Sequence, residues 1–330
     1  MKLGQLKDYY WKGTLTVVQL TPFKYGSEEL DLEGLRINTE FLVEASKKGP
    51  LVLTPAGSTG EFYALNDEEY KKVLKTVVDV AGGKVPVVPG ASHAGTKAAI
   101  ERARYAQDIG ADGVQIVLPY YHVPTEEGLY LHYSKLCQSI DIGLVIYNNS
   151  DISKIYMKPH ILRKLVEEFD NIIAVKENTP NVAMLYGQIR KCGDKVPILQ
   201  GRGDLWFGLT AHLGVRGYVS YCANFMPDIC LELLRAGLNK NYDRLFEIMK
   251  KIEVYEDFIS EMAKKYGPST TILPPPYVDH YMFYSVMKAT ADILGLRGGS
   301  MRLPLVNLID EDKKKLEDIV FNKLELKKIR

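Results

Sequence analysis

Nowhere does the sequence hold an unbroken apolar run of about 18 or more residues, so no membrane-spanning helix is expected. Cysteine is scarce. Cys137, Cys192, Cys222 and Cys230 are widely spaced, form no C-x-x-C pair and sit among apolar residues, which predicts reduced core thiols and excludes a disulfide framework. A surplus of either charge sign is lacking too: the formal net charge is +1, without the electrostatic footprint of a nucleic acid or an acidic membrane as partner. His93, His122, His132, His160, His212 and His280 show neither H-x-H nor H-E-x-x-H spacing, so no metal is expected. Phosphate-cradling glycine motifs are absent as well, because Gly201-Arg202-Gly203-Asp204 breaks off after its second glycine; no nucleotide cofactor is expected. Met1 to Asp8 lacks the apolar core of a signal peptide, which predicts a soluble, cytoplasmic protein. Repeats of solenoid period are missing, and the only low-complexity stretch is Pro274-Pro275-Pro276.

What is present is a rhythm. Short apolar runs alternate with segments of helical period, the pattern of parallel strands joined by helical crossovers. The expected strands are Gly13–Leu20, Leu51–Pro55, Val85–Gly90, Gly113–Leu118, Gly143–Tyr147, Ile172–Lys176, Val196–Gln200 and Gly217–Ser220. Most are apolar throughout, as strands buried on both faces are. Among the helices, Asn66 with Glu69 three residues on makes a capping box, and Gly82-Gly83 ends that helix. Thr96 and Thr125 are read as further N-caps. Eight such units predict a (β/α)8 TIM barrel over residues 1–238, with catalytic groups at the C-terminal ends of the strands. From about Asn239 the strand signal stops, and 239–330 is read as a helical C-terminal extension, broken at Gly267-Pro268 and at the proline run. Its last part, from Asp310, reads as a solvated helix with one docked face.

The strand ends carry the chemistry. Ile172-Ile173-Ala174-Val175-Lys176 ends an apolar strand in lysine, whose amine would be desolvated at the barrel mouth and freed for attack on a carbonyl. The competing reading is a lysine paired with a buried carboxylate; Glu177, its neighbour, points to the opposite face. Gly57-Ser58-Thr59-Gly60-Glu61 follows the second strand with hydroxyls and close-approach glycines suited to a carboxylate, although the same residues make ordinary turns. Tyr147 ends the fifth strand as a phenol able to shuttle protons, or as a packing residue with a bonded tip. Tyr120 and Tyr121 lie on the Pro-bounded loop after the fourth.

These residues together resemble the dihydrodipicolinate synthase and N-acetylneuraminate lyase family of class I aldolases and dehydratases. The resemblance runs from about Gly13 to Leu308 and rests on Leu20-Thr21-Pro22-Phe23, Gly57-Ser58-Thr59-Gly60-Glu61, Pro119-Tyr120-Tyr121 with Glu127-Gly128-Leu129-Tyr130, Ile146-Tyr147-Asn148 and Val175-Lys176-Glu177. It implies that Lys176 forms a Schiff base with a 2-oxo acid such as pyruvate, that Tyr147 moves protons, and that Ser58 and Thr59 bind the carboxylate, Thr59 also relaying protons. Tyr121 is implied to reach a neighbouring subunit's site, in a homotetramer built as a dimer of dimers. Gly57 and Val219 join the substrate-binding set.

Two departures bear on the substrate. Dihydrodipicolinate synthases carry an arginine near Ile152 for the aldehyde's carboxylate, and isoleucine is no replacement for a guanidinium; Lys154 or Arg202 are the compensating candidates. Arg202 and Asp204, after the seventh expected strand, can instead bind a carboxylate and hydroxyls of a sugar acid, or pair with one another or a surface acid. Gly60 to Leu65, Gly110 to Gly113 and Ser139 to Gly143 resemble the sugar-acid dehydratase branch, which has arginine where Asn149 stands. The leading expectation is thus an imine-forming lyase, aldolase or dehydratase, for a 2-keto-3-deoxy sugar acid. The alternative is 4-hydroxy-tetrahydrodipicolinate synthase, and a more distant one is a non-catalytic barrel that binds a 2-oxo acid.

Overall fold

The computed structural model describes residues 1–266 and 282–329. Gly267-Pro268, the proline run and His280 lie outside the described residues. Seven parallel strands form a nearly closed barrel: β1 (Thr14–Val18), β2 (Leu51–Thr54), β3 (Gly113–Val117), β4 (Gly143–Asn148), β5 (Ile172–Glu177), β6 (Ile198–Gln200) and β7 (Gly217–Ser220). Their spatial order is β2-β1-β7-β6-β5-β4-β3. The expected strand at 85–90 stands in the gap between β2 and β3 without forming a ladder. It touches them through isolated bridges, Val87 to Leu53 and Gly90 to Gln115. Pro86 and Pro89 lack the N–H that a ladder needs, so on this segment their carbonyls accept, from Leu53 N–H at 2.9 Å and Gln115 N–H at 2.8 Å.

The strands are buried on both faces, which accounts for their unbroken apolarity. Outward residues such as Val114, Ile116 and Val175 pack under the helices. Inward residues Val52, Val88, Val145, Ile173, Ala174 and Leu199 fill the barrel with Leu6 and Tyr10. Those last two belong to a helix at Leu3–Lys12. Ile173 and Ala174 are consecutive and both face the interior because the β4–β5 register slips: Leu144 pairs with Ile172, but Val145 with Ala174. This bulge decides the site. Strict alternation from Ile173 would send Lys176 outward; the extra residue turns it inward, directly beside Tyr147.

Helix ends follow local chemistry. Asn66 and Glu69 form the expected capping box, and Gly82 closes that helix in the left-handed region at φ 51°. Thr125 caps by accepting from Gly128 N–H. Thr96 does not cap: the cap position is Gly95, and the Thr96 hydroxyl lies 2.9 Å from Nδ1 of the buried His132. After a helix at Pro227–Leu238 come helices at Tyr242–Tyr266, Met282–Ile293 and Asp310–Asp318. The final stretch docks through Leu316, Val320 and Leu324, all fully buried. Among the described residues, no helix is long and apolar enough to cross a membrane.

Candidate active site

At the C-terminal ends of the strands lies a cavity of about 520 Å³. Lys176 sits in its wall, 4% exposed, with its Nζ 3.7 Å from the centroid of the Tyr147 ring. Burial alone pushes its amine down from the usual 10.5 to about 7, because no ion pair to Lys176 exists among the described residues. Glu177 does not supply one. Its carboxylate accepts from Asn148 Nδ2 at 2.7 Å and from Thr179 N–H at 3.0 Å on the other side of the strand. Desolvation nevertheless pushes that carboxyl up to about 8.

Ser58 and Thr59 line the cavity opposite, on the loop after β2. The loop is pressed close to β1. A Cβ on Gly57 would meet Val18 Cγ1 at 2.6 Å, and one on Gly60 would meet the Gln19 carbonyl at 2.7 Å. Gly57 therefore supports the loop from below and does not itself line the cavity. Glu61 closes the turn at φ 54° and is ion-paired with Lys288 of the Met282–Ile293 helix, both side chains being fully buried. Lys288 Nζ also donates to the Ser300 carbonyl at 2.7 Å.

The remaining expected residues divide. Val219 and Arg202 line the cavity. Arg202 is paired with Asp151, not with Asp204 or a surface acid; it also donates to the Asn178 carbonyl at 3.2 Å and lies 5.2 Å from the Trp206 ring. Asp204 does not reach the cavity. It is fully buried behind β7, accepting from Ser220 Oγ at 2.9 Å and Tyr218 Oη at 3.1 Å, because the Gly203 turn starts a helix at Asp204 that carries its side chain inward. Tyr121 is not brought to Lys176 within the chain: it is 74% exposed, edge-on to His122. Ile152 lines the cavity where an arginine was missed, whereas Lys154 is exposed and does not line it.

Several lining residues carried no signal in the sequence. Asp151 follows Tyr147 in a stretch legible only as polar, and Asn149 stood out only as the place where the dehydratase branch has arginine. Glu256, from the middle of the Tyr242–Tyr266 helix, accepts from the Tyr221 hydroxyl, and nothing in the pattern of that helix distinguishes it from a solvated acid. Among the described residues, no group of three or more His, Cys, Asp or Glu is placed to hold a metal ion.

Residues 11–323 match the model of the Dihydrodipicolinate synthetase family. The chain belongs to that family. It is 34% identical over 310 residues to a 4-hydroxy-tetrahydrodipicolinate synthase from Methanocaldococcus jannaschii, covering 94% of this chain and 98% of the relative. A synthase of the same name from Methanothrix thermoacetophila is 34% identical over 302 residues, covering 91% and 93%. Among solved structures, the dihydrodipicolinate synthase of Aquifex aeolicus superposes with a TM-score of 0.82 at 30% identity, covering 97% of this chain and all of that one. Membership in the dihydrodipicolinate synthetase family makes this barrel a class I, lysine Schiff-base lyase.

Proposed function

We propose that Lys176 forms the imine, and that the substrate is a 2-keto-3-deoxy sugar acid. A lysine whose amine titrates near 7 is substantially neutral at physiological pH and able to attack C2 of a 2-oxo acid. Ser58 and Thr59 take the carboxylate, with Val219 packing against the substrate. Thr59 and Tyr147 pass protons as the carbinolamine loses water. The iminium then draws electrons from C3, so that C3–C4 cleavage ends in an enamine, while condensation and β-elimination start from one.

The substrate class rests on the state of Arg202. Its charge is already met by Asp151, and Ile152 offers no second cation. Glu256 adds another carboxylate to the cavity lining. A second substrate carboxylate would have to displace Asp151 and leave that acid buried and unpaired, which is costly. A hydroxylated tail fits without displacement. Such a tail needs no second cation, so Arg202 keeps its pairing with Asp151.

Tyr121 is read as completing a neighbouring subunit's site, in a homotetramer arranged as a dimer of dimers. Its exposure and the adjacent exposed Val123 support that reading. The four thiols, free and buried, fit an enzyme of the reducing cytoplasm.

Borohydride reduction in the presence of pyruvate, followed by peptide mass spectrometry, tests the imine: an adduct on Lys176 is expected, and its absence removes the mechanism. A panel of 2-oxo acids, scored for pyruvate release or dehydration, tests the substrate. The relatives' name favours a second reading, condensation of pyruvate with aspartate semialdehyde, in which Arg202 leaves Asp151 to bind the aldehyde's carboxylate. A robust rate in a coupled assay with that aldehyde, and none with keto-deoxy sugar acids, would establish it instead.

A further inference from the structure

Asn149 lies two residues beyond Tyr147, at the end of β4, and is 2% exposed. Its side-chain oxygen accepts from the amides of Asp151 at 3.0 Å and Ile152 at 3.3 Å, which open the short helix Ser150–Ser153. Only an oxygen can accept there, so the orientation of the amide is fixed by the cap. Its nitrogen therefore faces Tyr147 and donates to the phenol oxygen at 2.7 Å. A phenol that receives an N–H in this way turns its own proton elsewhere. Lys176 lies over the ring of the same tyrosine, 3.7 Å from Nζ to the ring centroid.

We infer that Asn149 is a positioning residue for proton transfer, stabilising the phenolate of Tyr147 between two steps of the reaction. This rests on the reading of Lys176 and Tyr147 given above. When the carbinolamine loses its hydroxyl, the Tyr147 proton goes to that leaving oxygen, giving water, the iminium and a phenolate. The phenolate then removes a proton from C3: the C–H pair forms the C2–C3 double bond, the C=N pair returns to nitrogen, and the phenol is restored. Negative charge exists on the phenol oxygen only between these events. A donor already held against that oxygen by a helix cap stabilises it without reorganisation.

The test uses the full-length enzyme with pyruvate and two substitutions. Asn149→Ser and Asn149→Asp both keep a good cap for the helix at 150–153. Serine is too short to reach Tyr147, and aspartate offers only an acceptor. Three quantities are read: the borohydride-trapped Lys176 adduct, the exchange of the pyruvate methyl protons with D2O by NMR, and the thermal midpoint of unfolding. The adduct trapped in a fixed time is expected to fall in both variants, because the trapped iminium coexists with the phenolate, while the thermal midpoint of unfolding stays near wild type. Exchange at saturating pyruvate is expected to fall roughly 100- to 1000-fold, the scale on which loss of one preorganised donor acts. Exchange at the wild-type rate in both variants reduces Asn149 to a helix cap and overturns the inference. A fall in exchange matched by loss of the folded state also overturns it, since the effect would then lie in folding. If the wild type forms no adduct, the reading of Lys176 fails first, and the inference with it.

Discussion

At the scale of single residues, Lys176 carries an energetic signature that can be measured apart from turnover. Its amine titrates near 7 in the folded chain against 10.5 in the unfolded one. Between those values the unfolded state binds the extra proton, so stability attributable to this group rises with pH through that window; below about 7 the folded state must bury a charge. Lys176→Met should therefore abolish activity and yet stabilise the protein, by roughly 2 to 5 kcal/mol near pH 6 given about 1.4 kcal/mol per pKa unit. The gap should close as pH approaches 10.5. Urea unfolding at several pH values checks this, and a variant less stable than wild type at pH 6 would contradict it. The lysine was readable in sequence because an apolar run ending in a single amine is uncommon. Arg202 was readable only as a candidate, since its partner Asp151 is 51 positions away.

Among the elements, the decisive features are the ones that break pattern. The bulge at Ile173-Ala174 has no signature in a segment where every residue is apolar, yet it determines which face Lys176 occupies. Pro86 and Pro89 were visible in the sequence, but a run flanked by turn residues still reads as a strand when its donors are not counted. The loop after β2 depends on an element far away in the chain. Glu61 and Lys288 are both buried; desolvation pushes the carboxyl up and the ammonium down, and each opposes the other's shift. Removing one partner leaves a buried charge. Lys288→Met should cost roughly 3 to 5 kcal/mol, and it should raise the KM for the 2-oxo acid by loosening Ser58 and Thr59. The double variant Glu61→Met with Lys288→Met should recover much of that stability, since removing both charges together leaves neither uncompensated. Denaturant midpoints of the single and double variants measure the difference; an equal loss in both would show that packing, not charge, is what the pair supplies.

For the whole molecule, the question is whether one chain holds a complete site. Tyr121 projects from the loop after β3 into solvent, away from the cavity that its family role would serve. If it acts across a subunit boundary, mixing an inactive Lys176→Ala protein with an inactive Tyr121→Phe protein should restore part of the activity, because some hybrid sites draw one intact residue from each chain. No recovery after dissociation and reassembly would place Tyr121 outside the shared site.

The sequence by itself determined the barrel class and the strand ends at which Lys176 and Tyr147 stand, because periodicity and strand-end position are local properties written in consecutive residues. Tertiary structure alone decided that Arg202 is neutralised by Asp151, that the bulge turns Lys176 toward Tyr147, that Asp204 turns into the core, and that from the C-terminal helices Glu256 reaches the cavity and Lys288 reaches Glu61. Those outcomes depend on which charges meet after the chain closes on itself. Charge pairing is set by distance in space, and the spacing of residues along the chain does not record it.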